Sequence, residues 1–436
     1  MTSGSAFDVR ELVEADCVHP SIYTDPDIFE LEIRQVFGQA WNYVGHASQI
    51  PQHGDYFTTT VAGQPVAMLR HADGDIKVVH NRCAHRGAQV VSEASGNAKV
   101  LRCPYHGWTY ATDGTLLSVP CPQGYGDMEL PGQGMPALRS ACYRGFVFAT
   151  LSSQGPELEE FLGSARQVFD NMVDRSPDGE LETAGGRFRT VQHNNWKIYL
   201  ENLHDGMHPM HVHQSSIAAS RAQMKKHEDE QPGVHALPLQ LVAANGQSYE
   251  QMRELTVSCD RYGHSFMRGF RNPRSEDPVF MEYVRRLEKR HGPERAEEIL
   301  SANFHNVNLY PNASAHPSFL QLRVVFPLSV AETLVETWMF RLKGAPDELH
   351  QRNVVYANTV HSPSSIIKAD DLETYRRVQD GLPGSDRWIS QHRDFDAQSD
   401  DMSGNALNEH YVRNQYRVWQ AYMTGEFPGN GNLRRP

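Results

Sequence analysis

Two short stretches constrain this chain more than anything else in it. Arg82-Cys83-Ala84-His85-Arg86-Gly87 is followed, after a gap, by Cys103-Pro104-Tyr105-His106-Gly107-Trp108. Each carries one thiol and one imidazole, as C-x-H and C-x-x-H, with seventeen residues (86–102) between the pairs. Thiolates and imidazoles are the side chains that hold soft and borderline metals, so the spacing describes a four-ligand site contributed by two loops. Two sulfurs and two nitrogens suffice for a structural zinc ion or for a [2Fe–2S] cluster with two histidines on one iron. Whatever fold the chain adopts must bring these two loops together.

Short strands surround both loops. Asp55–Val61, Val66–Arg70 and Ile76–His80 are β-rich runs punctuated by Ala62-Gly63 and Asp73-Gly74. Asp113-Gly114 marks a hairpin between Thr109-Tyr110 and Leu116-Leu117, and Tyr143–Leu151 closes the series. Turn residues between alternating runs predict a small all-β domain with the ligand loops at its turns. At 436 residues the chain is long enough for two domains. Three segments are expected: a helical N-terminal arm at 1–40 that packs on the larger domain, the small β domain at 41–155, and a larger domain at 156–436. Within the arm, Thr24 or Asp25 caps a helix whose stripe is Ile28, Leu31, Val36 and Phe37. The larger domain is expected to be α+β, an antiparallel sheet covered by helices. Strands are expected at Phe319–Phe326 and Leu334–Leu342. Helices are expected at Leu158–Val173, Val279–Arg290, Asp370–Gln379 and Glu409–Met423.

Composition excludes several classes. A net charge of −12 leaves no basic stripe to meet phosphates, which argues against nucleic acid. Six cysteines, four of them scattered singly, are too few for a secreted disulfide scaffold and point to a reducing cytoplasm. The first residues lack the charged and apolar regions of a signal peptide. No run approaches the roughly 18 apolar residues of a membrane span.

A second constellation lies about a hundred residues beyond the first. Between Glu201 and His213 stand four histidines (204, 208, 211 and 213) and two acids (Glu201 and Asp205). Two neutral imidazoles and one carboxylate, with positions left open, make a non-haem Fe(II) site able to activate O₂. Helix geometry pairs His204 with His208, four residues apart on one face, but Pro209 disturbs that helix, so spacing alone leaves the pair undecided. The third ligand must come from elsewhere, and Asp370-Asp371 at the start of a late helix is the acidic candidate.

The two motifs together resemble the α subunit of Rieske non-haem iron aromatic-ring-hydroxylating oxygenases. The resemblance runs from Trp41 to about Trp419. It rests on C-x-H…C-x-x-H and on Asn195-Trp196-Lys197…Glu201-Asn202…Asp205-x-x-His208-x-x-x-x-His213. It implies that Cys83, His85, Cys103 and His106 hold a Rieske [2Fe–2S] cluster and that His208 and His213 hold a mononuclear Fe(II). Asp371 in Asp370-Asp371-Leu372-Glu373-Thr374-Tyr375 is the implied carboxylate ligand. Asp205 is implied to bridge an iron-ligating histidine and a cluster histidine of a neighbouring subunit, and Asn202 to lie near the iron. The implied catalytic fold is of the helix-grip, START-like type. The implied assembly is α3 or α3β3 with a small β subunit, fed from NAD(P)H by a separate reductase, with or without a ferredoxin. Consistent with that division, the chain has no G-x-G-x-x-G of its own. Met207 departs from the tyrosine common before the first iron histidine.

The expected activity is dihydroxylation of an aromatic, most closely an aromatic acid, with O₂. A Rieske monooxygenase or O- or N-demethylase would use the same metals. A pure iron–sulfur electron carrier or redox sensor is the alternative of a different class. Histidine ligands raise a cluster's potential above that of an all-cysteine one, which suits a relay to a second metal. Arg323 reads first as a salt bridge at the core edge, with binding of a substrate carboxylate the alternative. The substrate pocket is expected on loops between about Gln214 and Ser318.

Overall fold

The structure, a computed structural model, describes residues 8–230, 240, 242–243, 246–269 and 277–427. It divides into two compact units, one of residues 33–161 and one of residues 1–32 with 162–436.

The smaller unit is built from three antiparallel sheets. One runs in the order Ile76–His80, Gln64–Arg70, Asp55–Val61, Ser95–Asn97; another joins Arg139–Tyr143, Phe146–Thr150 and Asn42–His46. The third, Leu101–Arg102, Thr109–Tyr110 and Leu116–Ser118, carries the second ligand loop. The Ala62-Gly63 hairpin joins paired Val61 and Gln64 with both central residues at positive φ, the two-residue turn whose twist matches that of its strands. Behind the loops a single apolar cluster holds Leu69, Val79, Leu101, Trp108 and Tyr110 together with the two cysteines.

The larger unit is organised by one eight-stranded antiparallel sheet. Its spatial order is Leu181–Gln192, Glu332–Leu342, Gln321–Ser329, Ala313–His316, Phe304–Leu309, Ser265–Arg268, Thr256–Cys259, Ser403–Asn405. Helices Trp196–Asn202, His208–Val212, Lys368–Gly381 and His410–Met423 carry or support the site. Their mutual placement depends on Glu32, which is fully buried. Its carboxylate accepts from Trp196 Nε1 (2.8 Å), Trp419 Nε1 (2.7 Å) and Lys197 Nζ (2.5 Å). One acid thus ties the N-terminal segment to two distant helices. Removing it would leave the Lys197 charge buried and alone, the costly outcome for a buried pair. Gln379 adds a further tie, accepting from the Asn195 N–H at 2.7 Å.

Two local expectations change. The helix expected at 158–173 is broken into Leu158–Leu162, a 3₁₀ turn Gly163–Ala165 and Arg166–Asp174, because Gly163 adopts a φ of +47°. The strand expected from Phe319 begins at Gln321; Pro317–Phe319 is a 3₁₀ turn. Asp25 caps the Pro26–Glu32 helix, its side chain accepting from the Asp27 and Ile28 N–H groups. No helix among the described residues is long and apolar enough to cross a membrane.

Candidate metal centres and substrate pocket

The two cysteine–histidine loops are near copies of one another. In the first, Gly87 N–H bonds the Cys83 carbonyl (2.9 Å) and Cys83 N–H bonds Ala88 (2.8 Å). In the second, Gly107 N–H bonds the Cys103 carbonyl (3.1 Å) and Cys103 N–H bonds Trp108 (2.8 Å). Both closing glycines sit at positive φ, +74° and +69°, where an L side chain is strained. Both cysteines are 2% exposed. The His85 and His106 rings lie 4.6 Å apart, centroid to centroid, and the Nδ1 atom of each is buried without a hydrogen-bond partner. Two orphaned ring nitrogens beside two buried sulfurs are a donor set that suits a two-sulfur, two-nitrogen cluster. Trp108 stacks on His85 at 5.2 Å, and the Tyr110 hydroxyl lies 3.1 Å from Cys83 Sγ.

The second site is assembled from two helices far apart in sequence. Asn195 caps Trp196–Asn202, its side chain accepting from Lys197 N–H, and this helix ends before His204. A new, five-residue helix starts at His208 with Pro209 in its first turn, where a missing N–H costs nothing. His204 and His208 therefore share no helix. His204 is fully buried, with Nε2 at 3.0 Å from the Asn306 carbonyl and Nδ1 at 2.9 Å from Ser265 Oγ. Burial pulls it down to about 4, so it is a neutral structural group. His211 sits outside, against the Tyr249 hydroxyl.

His208 and His213 flank the short helix and face Asp371 from Lys368–Gly381. Asp371 Oδ1 is 3.3 Å from His213 Nε2 and 3.8 Å from His208 Nε2, and one ligand atom from each of the three residues lies within 4.8 Å of the others. Asp371 Oδ1 is nonetheless buried with no aligned hydrogen bond. The three groups converge on a point between them, the arrangement a shared ion would complete. Asp370 takes the opposite nitrogen of His213, Nδ1, at 3.4 Å, and Ser216 holds that carboxylate. His208 Nδ1 bonds the Asp205 carbonyl oxygen at 2.8 Å. Each imidazole thus has its outer nitrogen engaged, which fixes ring orientation. Burial lowers the His208 pKa. Asp371 is held below the usual carboxylate range although burial opposes this, because His213 and the Lys368 charge outweigh it. Neutral imidazole and ionised carboxylate are the forms that bind metal. His213 shifts upward: burial pulls it down, but Asp371 and Asp370 more than reverse that.

The Asp205 carboxylate does not meet His208 within this chain. Its Oδ1 accepts from Met207 N–H (2.8 Å) and from Arg393 (3.2 Å), whose other terminal nitrogen lies 3.2 Å from Met207 Sδ. Asn202 Oδ1 accepts from the Tyr375 hydroxyl (2.8 Å) and lines the same pocket as the three converging groups.

That pocket corrects two expectations. Among the described residues its lining comes mainly from strands and helices across 190–375: Met267, His305, Asn306 and His316 are all strand residues, while residues 231–239, 241, 244–245 and 270–276 of the expected loop region lie outside the described residues. Arg323, 7% exposed on Gln321–Ser329, also lines it. It makes no salt bridge among the described residues; NH2 donates to Asn306 Oδ1 at 2.7 Å. No acid among the described residues forms the expected core-edge ion pair with it. Lys368, His305, His316 and His361 are lining residues that sequence reasoning missed. Lys368 stands one helical turn before Asp371 and shares its face, the one signal that pointed to it.

Comparison with known proteins bears on both sites. The Rieske [2Fe-2S] domain matches residues 40–137, and the ring hydroxylating alpha subunit (catalytic domain) matches residues 181–425. The chain belongs to this family. Its cofactors are those of a Rieske non-haem iron oxygenase, a [2Fe–2S] cluster and a mononuclear iron, and both donor sets described above fit them. Toluate 1,2-dioxygenase subunit alpha of Pseudomonas putida is 34% identical over 83% of this chain and 78% of the relative. Anthranilate 1,2-dioxygenase large subunit of Acinetobacter baylyi is 31% identical over 86% of this chain and 79% of its own length. Naphthalene 1,2-dioxygenase with indole in its active site superposes with a TM-score of 0.78 at 25% identity, covering 95% of this chain and 94% of that one.

Proposed function

We propose that this ring-hydroxylating oxygenase α subunit dihydroxylates an aromatic acid. Cys83, His85, Cys103 and His106 would hold the cluster, and His208, His213 and Asp371 the iron. Bound there, the cluster would supply electrons one at a time and the iron would supply dioxygen activation. The overall reaction adds both atoms of O₂ to adjacent ring carbons, consuming two electrons and two protons to give a cis-dihydrodiol. The chain's own contribution is placement. The Asp205 carbonyl and the Asp370 carboxylate orient the two histidines. Tyr375 steadies Asn202 at the pocket wall, and Arg323 would bind the substrate carboxylate so that the ring faces the metal ligands.

The observation that carries the reading is the pairing of Asp371, His208 and His213 with a buried Arg323 lining the same pocket that has no acid partner of its own. A buried guanidinium without a carboxylate is a recognition element waiting for one. The names of the toluate and anthranilate dioxygenases agree with an acid substrate. Electrons would come from NAD(P)H through a separate reductase or ferredoxin. Assembly as α3 or α3β3 would bring Asp205 of one subunit to the partner subunit's His106.

Single turnover tests the chemistry. Reduced enzyme with a benzoate-type acid, exposed to labelled O₂, is expected to give a product with two labelled oxygens. A single label would make the protein a monooxygenase. Substrate-dependent O₂ uptake with neutral arenes and none with acids would overturn the acid reading.

A further inference from the structure

We propose that the pocket takes an arene bearing two anionic groups, with Lys368 binding the second as Arg323 binds the first. The inference rests on reading this cavity as the substrate pocket. Its argument is a balance of charge. The acids that line the cavity are Asp205 and Asp371. Asp205 is already paired with Arg393 at 3.2 Å, and Asp371 faces His208 and His213 as part of the metal set. Neither is left over for the two lining cations.

Neither cation has an ion-pair partner among the described residues. Arg323 donates to the Asn306 amide oxygen, and its Nε is buried without a partner. The Lys368 ammonium makes no hydrogen bond or ion pair among the described residues, the backbone N–H alone donating to Ser365 Oγ; it stands 4.9 Å over the ring of Tyr199 and 4.9 Å over that of Tyr375. Two aromatic faces offset part of the lost hydration and hold the amine in place, but they supply no anion. The imidazoles around the same cavity do not add charge. Burial keeps His305, His316 and His361 well down in pKa and therefore neutral. Burial also pulls Lys368 down, to about 8, with Asp371 opposing and Arg323 adding to the fall, so the amine is still protonated at pH 7.

Two separate cations lining one pocket, Arg323 buried and Lys368 half-buried, suit two acceptors better than one. Arg323 projects from a central strand of the sheet, whereas Lys368 starts the helix that carries Asp371. They belong to different elements, so a monoacid satisfying the strand-borne guanidinium leaves the helix-borne ammonium unpaired. The substrate class is thus a benzenedicarboxylate-like acid, or an arene with one carboxylate and a second anionic substituent.

The test is equilibrium binding to the oxidised, metal-loaded oligomer without an electron donor, so that nothing turns over. The ligands are benzoate, the three benzenedicarboxylates and toluene, read by calorimetry. At least one dicarboxylate is expected to bind about tenfold more tightly than benzoate, the worth of one added charge-assisted hydrogen bond. In Lys368→Met that ratio should fall to about one, and Lys368→Arg, which keeps the charge, should restore part of it. Iron and sulfide content, with the cluster's visible spectrum, checks that each variant is intact. A ratio near one in the unaltered protein, or a ratio that survives Lys368→Met, overturns the two-anion inference while leaving the aromatic-acid reading standing. Tight binding of toluene with no binding of any acid overturns that reading, and this inference with it.

Discussion

The candidate cluster loops and the candidate iron site are assembled by opposite strategies. Each cluster loop closes on itself: its own backbone hydrogen bonds, its own left-handed glycine and its own cysteine–histidine pair lie within six consecutive residues. The two loops then need only be brought side by side. The iron site has no such local unit. Its histidines flank a helix of five residues, and its carboxylate comes from a helix more than 150 positions later. Their convergence depends on packing elsewhere, including the buried Glu32 that ties together Trp196, Lys197 and Trp419. A self-closed loop can keep its geometry when its surroundings change, while a site of distant parts is as good as the core beneath it. The second strategy leaves one wall of the site free to line a pocket.

The largest expected effect separates the two sites. With both metals loaded the protein should hold about three irons per chain. Asp371→Ala should lower this to about two, with sulfide and the cluster's visible absorption unchanged and turnover abolished. Cys103→Ala should do the reverse, losing sulfide and leaving about one iron. Each donor set lies wholly within one compact unit, which is why the losses should be independent. Three irons retained in Asp371→Ala would remove that residue from the ligand set.

Next in size is the residue proposed to join the sites. Asp205→Ala should keep both metals yet slow turnover by about 10- to 100-fold, the usual cost of removing a group that orients a metal-bound histidine. The backbone carbonyl that meets His208 survives the substitution, so iron content should hold even as electron delivery fails. Undiminished turnover would sink the bridging role. Metal loss would instead make Asp205 a structural support of the iron site, through Met207 and Arg393.

The same contrast explains what the sequence made legible. The cluster ligands could be read from spacing because loop closure is local. The strands around them followed from turn residues, and Asp55–Val61 and Ile76–His80 end where the alternation ends. At the candidate iron site, bare helix spacing would pair His204 with His208, but Pro209 left the pair undecided. The chain instead starts a new helix at His208, with Pro209 in its first turn, and buries His204 behind Ser265 and Asn306. Only the likeness to a known family singled out His208 and His213. Asp370 and Asp371 could not be told apart by position, since both sit in the first turn of a helix; the side that faces the histidines' Nε2 atoms is a tertiary fact. Arg323 read as a salt-bridge residue because the sequence does not say which acids are near. Lys368 was passed over because a lysine near a helix start is ordinarily a solvated one.

The smallest expected effect concerns the asymmetry between the two cluster loops. The Tyr110 hydroxyl, fully buried, accepts from the Ala84 N–H at 3.2 Å and lies 3.1 Å from Cys83 Sγ. With its oxygen receiving the amide proton, its own hydrogen would be donated to the sulfur of a cluster-bound Cys83 thiolate. A hydrogen bond to a ligand sulfur draws electron density from the cluster and favours the reduced state. Tyr110→Phe removes the hydroxyl and keeps the ring in the apolar cluster behind the loops, so the fold should persist. A hydrogen bond to a charged group is worth about 1.5–3 kcal/mol, and the part of it that changes on reduction is smaller, about 1–2 kcal/mol. For a one-electron couple that corresponds to a potential lower by on the order of 50 mV. Redox titration of the visible spectrum measures it. The shift should leave mononuclear iron content and substrate affinity alone, because no residue of that pocket belongs to the 33–161 unit. An unchanged potential would mean that the Tyr110 proton points away from the sulfur and that the loops differ in packing alone.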